Sequence, residues 1–348
     1  MTAGFGEAIT TARKARGWTQ EELAARADVV QGPLSRYEND LREPDEDTLE
    51  RIANALGVTV KFLRTASRAK GAMAVDAHMR RRATAKPTLW RQLEARLNMY
   101  RIHSRVLMEQ VLLRADQHIP RFDPYESDPA TAARLVRMQW RMPIGPVRRL
   151  VRWLESAGCL VIAEDFGTDR VDGMSQWVDD LPIMLINEKA PTDRLRLTIA
   201  HELGHLVLHS AEVTDSIEDE ANAFAAEFLM PAETIRPQLR GVRANQLLDL
   251  KQEWGVSMAA LVERAYTLGL TTATGRTQFY KMMSARDWRT REPGSDRLPP
   301  ERPEMTFQIA DALLARGLTR SEIATMAGFA APEDNTLFRP TERRLHAI

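Results

Sequence analysis

The chain has 348 residues, of which 44% are hydrophobic, and its Lys and Arg residues balance its Asp and Glu residues at 48 each. This length allows two or more domains with separate cores, and the zero formal net charge leaves electrostatic attraction to local patches. The single cysteine, Cys159, excludes an intramolecular disulfide and fits a reducing compartment. Because no apolar run is long enough to cross a membrane and the N-terminus lacks the core of a secretory signal, we expect a cytoplasmic protein without membrane contact.

The N-terminal segment predicts several short helices around one small core. Thr19 followed by Glu22 predicts a capping box that begins one helix, and a second helix is expected to begin between Val30 and Pro33. Two helices joined by so short a turn form a helix-turn-helix. The stretches "WTQEELA" and "LSRYEN" resemble the XRE family of DNA-binding domains over residues 5–64.

In such a fold the second helix enters the major groove of double-stranded DNA. Its outward positions, which we expect to approach the bases, are Gln31, Gly32, Ser35 and Arg36. Gln20, near the start of the preceding helix, is expected to meet a phosphate. Val30 stands where a capping serine or threonine often begins the recognition helix, and Gly32-Pro33 removes side-chain readout, so modest sequence specificity is expected. The alternative is a small helical bundle used only for protein contact.

A basic segment follows from Lys61 to Arg105, with twelve Lys or Arg residues against Asp76 and Glu94. It begins as a linker and continues as a predicted long helix from Thr88 to about Gln117. Clustered positive charge favours phosphate binding and so supports the DNA-binding interpretation.

Residues 128–292 predict helices, a small sheet and then more helices. Asp128 followed by Pro129 is a typical helix start, a second helix is expected over 145–157, and three strand-like runs follow, "CLVIAED", "GMSQWVD" and "LPIMLINE". This order of elements indicates an α+β domain.

The next helix contains the stretch "AHELGH", in which His201 and His205 lie four residues apart. On a helix both imidazoles project from one face, which suits two ligands on one zinc ion, and Glu202 can take a proton from a water that the metal activates. A third protein ligand must come from elsewhere. His209, one turn further on, is interpreted as a neighbour of the ligands or as a surface residue.

The following helix, residues 217–229, is the better source of the third ligand. At 100° per residue Glu218 lies inside the apolar arc, Glu220 lies beyond its edge, and Asp219 and Glu227 point away. Glu218 is therefore the expected ligand, with Glu220 as the alternative. Asn222 either hydrogen-bonds a ligand or is a simple surface amide.

Taken together, "HELGHLVLH", "EDEANAFAAEFLMP" and "MSARDWRTREP" resemble the ImmA/IrrE family of zinc metallo-endopeptidases over roughly residues 129–293. Members of that family cut repressor proteins, often ones with a helix-turn-helix. The resemblance implies His201, His205 and Glu218 as zinc ligands and Glu202 as general base.

The predicted fold class is therefore multidomain: an all-α helix-turn-helix domain (1–65), a basic linker and long helix (66–127), and an α+β zincin-like metallopeptidase domain (128–292). An extended segment with C-terminal helices completes it (293–348). Within that last part "GLTRSEIATMAG" faintly resembles a second helix-turn-helix, the alternative being a simple helical cap.

The combination predicts a DNA-binding regulatory protease whose substrate is a helix-turn-helix repressor or an antitoxin-like protein, with self-cleavage between the modules as a further option. A homodimer is possible, since such domains often read paired half-sites. The competing hypothesis is a transcriptional regulator whose peptidase-like domain senses a signal or binds a partner without proteolysis.

Overall fold

The computed structural model describes residues 5–68, 87–108, 115–178, 180–210 and 214–341. These residues form two compact units. Residues 5–68, 87–108 and 304–341 make up the first unit, and the described residues of 115–303 make up the second. Along the chain the second unit is thus inserted into the first. Within the described parts of the chain, no helix is long and apolar enough to cross a membrane.

Among its described residues, the first unit begins with six helices. They are α1 (Gly6–Ala15), α2 (Gln20–Arg26), α3 (Gln31–Glu38), α4 (Glu46–Ala55), α5 (Val60–Arg68) and α6 (Pro87–Met108). Their shared core includes Ile9, Leu23, Leu34, Ile52 and Phe62, and α6 adds Ile102 and Val106 to it. The predicted end of the long helix near Gln117 is wrong, because Gln117 is not helical, while residues 109–114 lie outside the described residues.

The helix-turn-helix forms as the sequence predicts. Thr19 and Glu22 make both hydrogen bonds of a capping box at the start of α2, whereas Val30 precedes α3 without any side-chain cap. Glu38, at the end of α3, accepts two hydrogen bonds from Arg13 at 2.6 and 2.8 Å. This partly buried ion pair fixes α3 against α1.

Two C-terminal helices, α15 (Met305–Ala315) and α16 (Arg320–Met326), belong to this first unit and repeat the pattern of α1 and α2. Thr319 and Glu322 form a second capping box. When the two segments are aligned without a gap, other corresponding pairs include Ile9 and Ile309, Gly17 and Gly317, Leu23 and Ile323, Ala24 and Ala324, and Ala27 and Ala327. Residues 327–341 contain no counterpart of α3. Within residues 304–341 the C-terminal segment therefore has counterparts of α1 and α2 and none of the recognition helix α3.

That segment is hydrogen-bonded to the N-terminal helices. The N–H of Thr59 donates to the carbonyl of Gly328 at 2.9 Å, and the N–H of Ala330 donates to the carbonyl of Gly57 at 3.0 Å. A single β-bridge pairs Val58 with Phe329.

The second unit is α+β, as predicted. Its elements are α7 (Pro129–Gln139), α8 (Leu150–Ser156), β1 (Leu160–Glu164), β2 (Gly173–Val178), β3 (Leu181–Asn187), α9 (Thr192–Leu208), α10 (Ile217–Leu229), α11 (Ala232–Leu239), α12 (Ala244–Trp254), α13 (Met258–Thr267) and α14 (Ala273–Ala285). The sheet has the order β1-β3-β2, with β1 parallel and β2 antiparallel to β3. The helix expected over 145–157 begins later, at Leu150.

Helix α9 packs against the sheet on one side and against α10 on another. Gly204 allows the close approach of the two helices, because a Cβ there would lie 3.2 Å from the Cα of Ala221 and from a ring carbon of Phe224. One prediction for α10 is wrong: Glu227 does not point away but is buried and ion-paired with Arg264. Arg264 neutralises Glu227, and the periodicity of α10 alone could not reveal this partner.

Candidate metal centre

Three potential ligands converge between α9 and α10. The Nε2 atoms of His201 and His205 lie 3.0 Å apart. From α10, the carboxylate of Glu218 approaches to 3.4 Å of His201 Nε2 and 3.9 Å of His205 Nε2. One ligand atom from each residue lies within 4.8 Å of the others. The structure thus brings together the three residues that the sequence singled out.

The opposite side of each ring has its own partner. Nδ1 of His201 lies 2.9 Å from Oδ1 of Asn222, one turn after Glu218 on α10. Nδ1 of His205 lies 3.0 Å from Nδ1 of His209. These contacts of the two Nδ1 atoms fix the orientation of both rings, so both Nε2 atoms point toward the cluster.

Glu202 lies next to this cluster and is buried. The hydroxyl of Ser175, on β2, donates to Glu202 Oε2 at 2.7 Å. Burial raises the pKa of Glu202 above the ordinary carboxyl range and the charge of Glu218 adds to the effect, while His201 and the Ser175 hydrogen bond oppose it. A carboxyl group with a raised pKa is suited to accept and return a proton near neutral pH.

Glu220, the alternative third ligand, lies elsewhere. Its Oε2 is 2.9 Å from Nε2 of His209, and its Oε1 accepts hydrogen bonds from Thr214 at 2.9 Å and Ser216 at 2.7 Å. His209, for which the sequence left a surface position open, is buried with 3% exposure.

The donor set fits a zinc-type ion. Two imidazole nitrogens and a carboxylate are the ligands of many catalytic zinc sites, and two nitrogens on one tetrahedral zinc lie roughly 3.3 Å apart, close to the 3.0 Å between the two Nε2 atoms. The group of His201, His205 and Glu218 can therefore hold a metal.

Ser175 is the residue that sequence reasoning missed. It lies within the strand-like run "GMSQWVD", and β2 brings it to α9 only through the pairing of β2 with β3. Nothing in the local pattern distinguishes this serine from any other serine in a strand.

The residues predicted to contact DNA lie on and beside α3. Gln31, Gly32 and Arg36 are exposed, and Ser35 is half-buried. The side-chain amide of Gln20 donates to Glu38 Oε2 at 2.7 Å, and its contact with a phosphate stays a prediction.

Comparison with known proteins separates the same two parts. Residues 9–63 match the family model described as helix-turn-helix, and residues 154–266 match the peptidase-family model described as the IrrE N-terminal-like domain. The chain carries an XRE-type helix-turn-helix and an ImmA/IrrE-type domain. The candidate metal-ligand cluster of His201, His205 and Glu218 lies, with Glu202, inside the matched ImmA/IrrE-type segment.

Two relatives from Bacillus subtilis (strain 168) match over 59 residues, 17% of this chain. The HTH-type transcriptional regulator ImmR is 38% identical over that stretch, which is 46% of its own length. The SPbeta prophage-derived uncharacterized HTH-type transcriptional regulator YonR is 34% identical over 55% of its length. The chain thus spans about half the length of the curated relatives it matches.

Proposed function

We propose that this protein is a cytoplasmic, DNA-binding regulatory zinc metallo-endopeptidase that cleaves a repressor-type or antitoxin-like protein and thereby controls transcription. The observation that carries the catalytic part is the convergence of His201, His205 and Glu218 beside the buried Glu202. The match of residues 154–266 to a peptidase family supports it.

The chemistry divides between the metal and the chain. Zinc held by His201, His205 and Glu218 would acidify a water and polarise the carbonyl of the scissile peptide. Glu202 takes the proton from the attacking water and returns it to the leaving amine. The Ser175 hydroxyl holds Glu202 in place between the two transfers through its bond to Oε2. Burial of Glu202 favours the protonated state that the second transfer needs.

The regulatory part of the proposal rests on the first unit. Its α3 presents Gln31 and Arg36 to solvent in the position of a recognition helix. Both matched relatives are named as HTH-type transcriptional regulators. A homodimer would read two half-sites in DNA. The protein substrate would be a helix-turn-helix repressor.

The catalytic proposal is tested with the zinc-loaded protein and its Glu202→Gln variant, each incubated with a panel of candidate helix-turn-helix repressors. We expect cleavage by the wild type only, with unchanged zinc content in both, because a side-chain amide cannot accept the proton of the attacking water. Glu218→Gln should lose zinc and activity, while the neighbouring exposed Asp219→Asn should keep both. Equal cleavage by the wild type and Glu202→Gln would exclude this mechanism.

DNA binding is tested with the Glu202→Gln variant on the DNA upstream of the gene that encodes this protein. Arg36→Ala should weaken specific binding by about 10- to 100-fold, the loss typical of one base-contacting side chain. If the Glu202→Gln variant or the zinc-free protein still binds DNA and regulates transcription normally, the ImmA/IrrE-type domain acts as a sensor or partner-binding module without proteolysis.

A further inference from the structure

Behind the metal-ligand cluster a chain of three side chains runs away from the site. Starting at His205, the chain passes through His209 to Glu220, with heavy-atom separations of 3.0 and 2.9 Å. His209 follows directly after α9, and Glu220 is on α10. The three residues thus connect the two helices that supply the ligands.

The proton positions along this chain follow from chemistry. A nitrogen that ligates a metal carries no proton, so the neutral ring of His205 has its proton on Nδ1. Only one proton fits between the Nδ1 atoms of His205 and His209, so His209 Nδ1 accepts it. The proton of His209 is then on Nε2, which faces Glu220 Oε2 at 2.9 Å. Each N–H along the series His205, His209 and Glu220 therefore has an acceptor.

The far end of the chain is fixed as well. The hydroxyls of Thr214 and Ser216 donate to the other oxygen of Glu220 at 2.9 and 2.7 Å. The side chain of His209 is fully buried, so water cannot replace it as the partner of His205. An imidazole held this way loses rotational freedom and keeps the tautomer that a metal ligand needs.

We propose that His209, oriented by Glu220, is a positioning residue that fixes His205 for metal binding. This inference rests on the proposed zinc site, but it concerns affinity for the metal and needs no protein substrate. It also assigns two of the four acids of α10 different tasks: Glu218 binds the metal, and Glu220 holds His209.

The test measures zinc affinity of the full-length, zinc-stripped protein by competition with a chromophoric chelator, without substrate. His209→Leu should bind zinc about 10- to 100-fold more weakly, the usual loss when such an outer partner is removed. His209→Gln should stay close to the wild type, because its amide can accept from His205 and donate to Glu220. Glu220→Gln should lose affinity less than Glu218→Gln, and Asp219→Asn should lose none.

Circular dichroism of the zinc-free variants checks that the fold is retained, and the visible spectrum of the cobalt-loaded forms reports ligand geometry. A cobalt spectrum that differs from the wild type in His209→Leu and matches it in His209→Gln supports the role of His209 in positioning His205. Wild-type affinity in His209→Leu would overturn the inference while leaving the zinc site standing. Complete loss in both His209 variants would make His209 a ligand and overturn it too. If the wild type binds no zinc, this inference and the proposed function both fail.

Discussion

The imidazole of His103, in the C-terminal half of α6, stacks on the ring of Phe329 with centroids 3.8 Å apart and planes at 8°. Phe62 covers the other face of the imidazole, and His103 Nδ1 lies 2.7 Å from the carbonyl oxygen of Ala327. Burial lowers the pKa of His103 to about 3, with the Ala327 carbonyl opposing the shift and Arg16 adding to it. The C-terminal segment therefore packs around a histidine that stays neutral.

This neutral histidine predicts that acid weakens the first unit. Between pH 6.5, the ordinary value, and pH 3 the unfolded chain binds a proton that the folded chain does not, so the free energy of unfolding falls as pH drops through this window. At pH 5 the loss is on the order of 2 kcal/mol. His103→Phe keeps the stacking and should flatten the pH dependence in urea unfolding followed by circular dichroism. The same slope in both proteins would contradict the prediction.

Phe329→Ala should destabilise the first unit by about 3–5 kcal/mol, the usual cost of removing a buried phenyl ring. The ring is 4% exposed and contacts His103. Faster hydrogen exchange in α4 and α5, resolved by peptide, would show that the loss reaches the N-terminal helices. Phe307→Ala, on the same segment but 42% exposed, should change stability by less than about 0.5 kcal/mol. If Phe329→Ala changed stability as little as Phe307→Ala, the C-terminal segment would not stabilise the helix-turn-helix.

Gly204→Ala should reduce zinc affinity without touching a ligand. The added methyl group would lie 3.2 Å from Ala221 and Phe224, so α10 must move away from α9, at a cost of about 1–3 kcal/mol. Glu218 moves with α10, and the three ligand atoms separate. Chelator competition and thermal unfolding together check this. Unchanged zinc affinity would show that α10 can adapt without displacing Glu218.

Lys251→Met should destabilise the second unit by about 3–5 kcal/mol, because it leaves buried carboxylates without their cation. Lys251 is fully buried and pairs with Asp193, at the start of α9, and with Glu292 at 2.9 Å. Lys281→Met, on the exposed face of α14, makes the same chemical change at the surface and should be nearly neutral. Comparable midpoints of urea unfolding for the two variants would contradict the prediction.

Local sequence determined a large part of this protein. The capping box at Thr19, the Asp128 start of α7 and the three strands all depend on neighbours within a few residues, so their patterns are readable in one dimension. The spacing of His201 and His205 is likewise a local property of a helix. For the same reason the periodicity of α10 favoured Glu218 over Glu220.

Other features depend on contacts between residues far apart in the chain, and only the tertiary structure decided them. Ser175 reaches Glu202 because β2 pairs with β3, and Glu227 is buried because Arg264 lies opposite it. The C-terminal helices join the N-terminal ones through His103 and Phe329. A one-dimensional pattern records which face of a helix is apolar, but the partner that neutralises a buried charge or completes a core is chosen by packing, where burial makes each unmatched polar group costly.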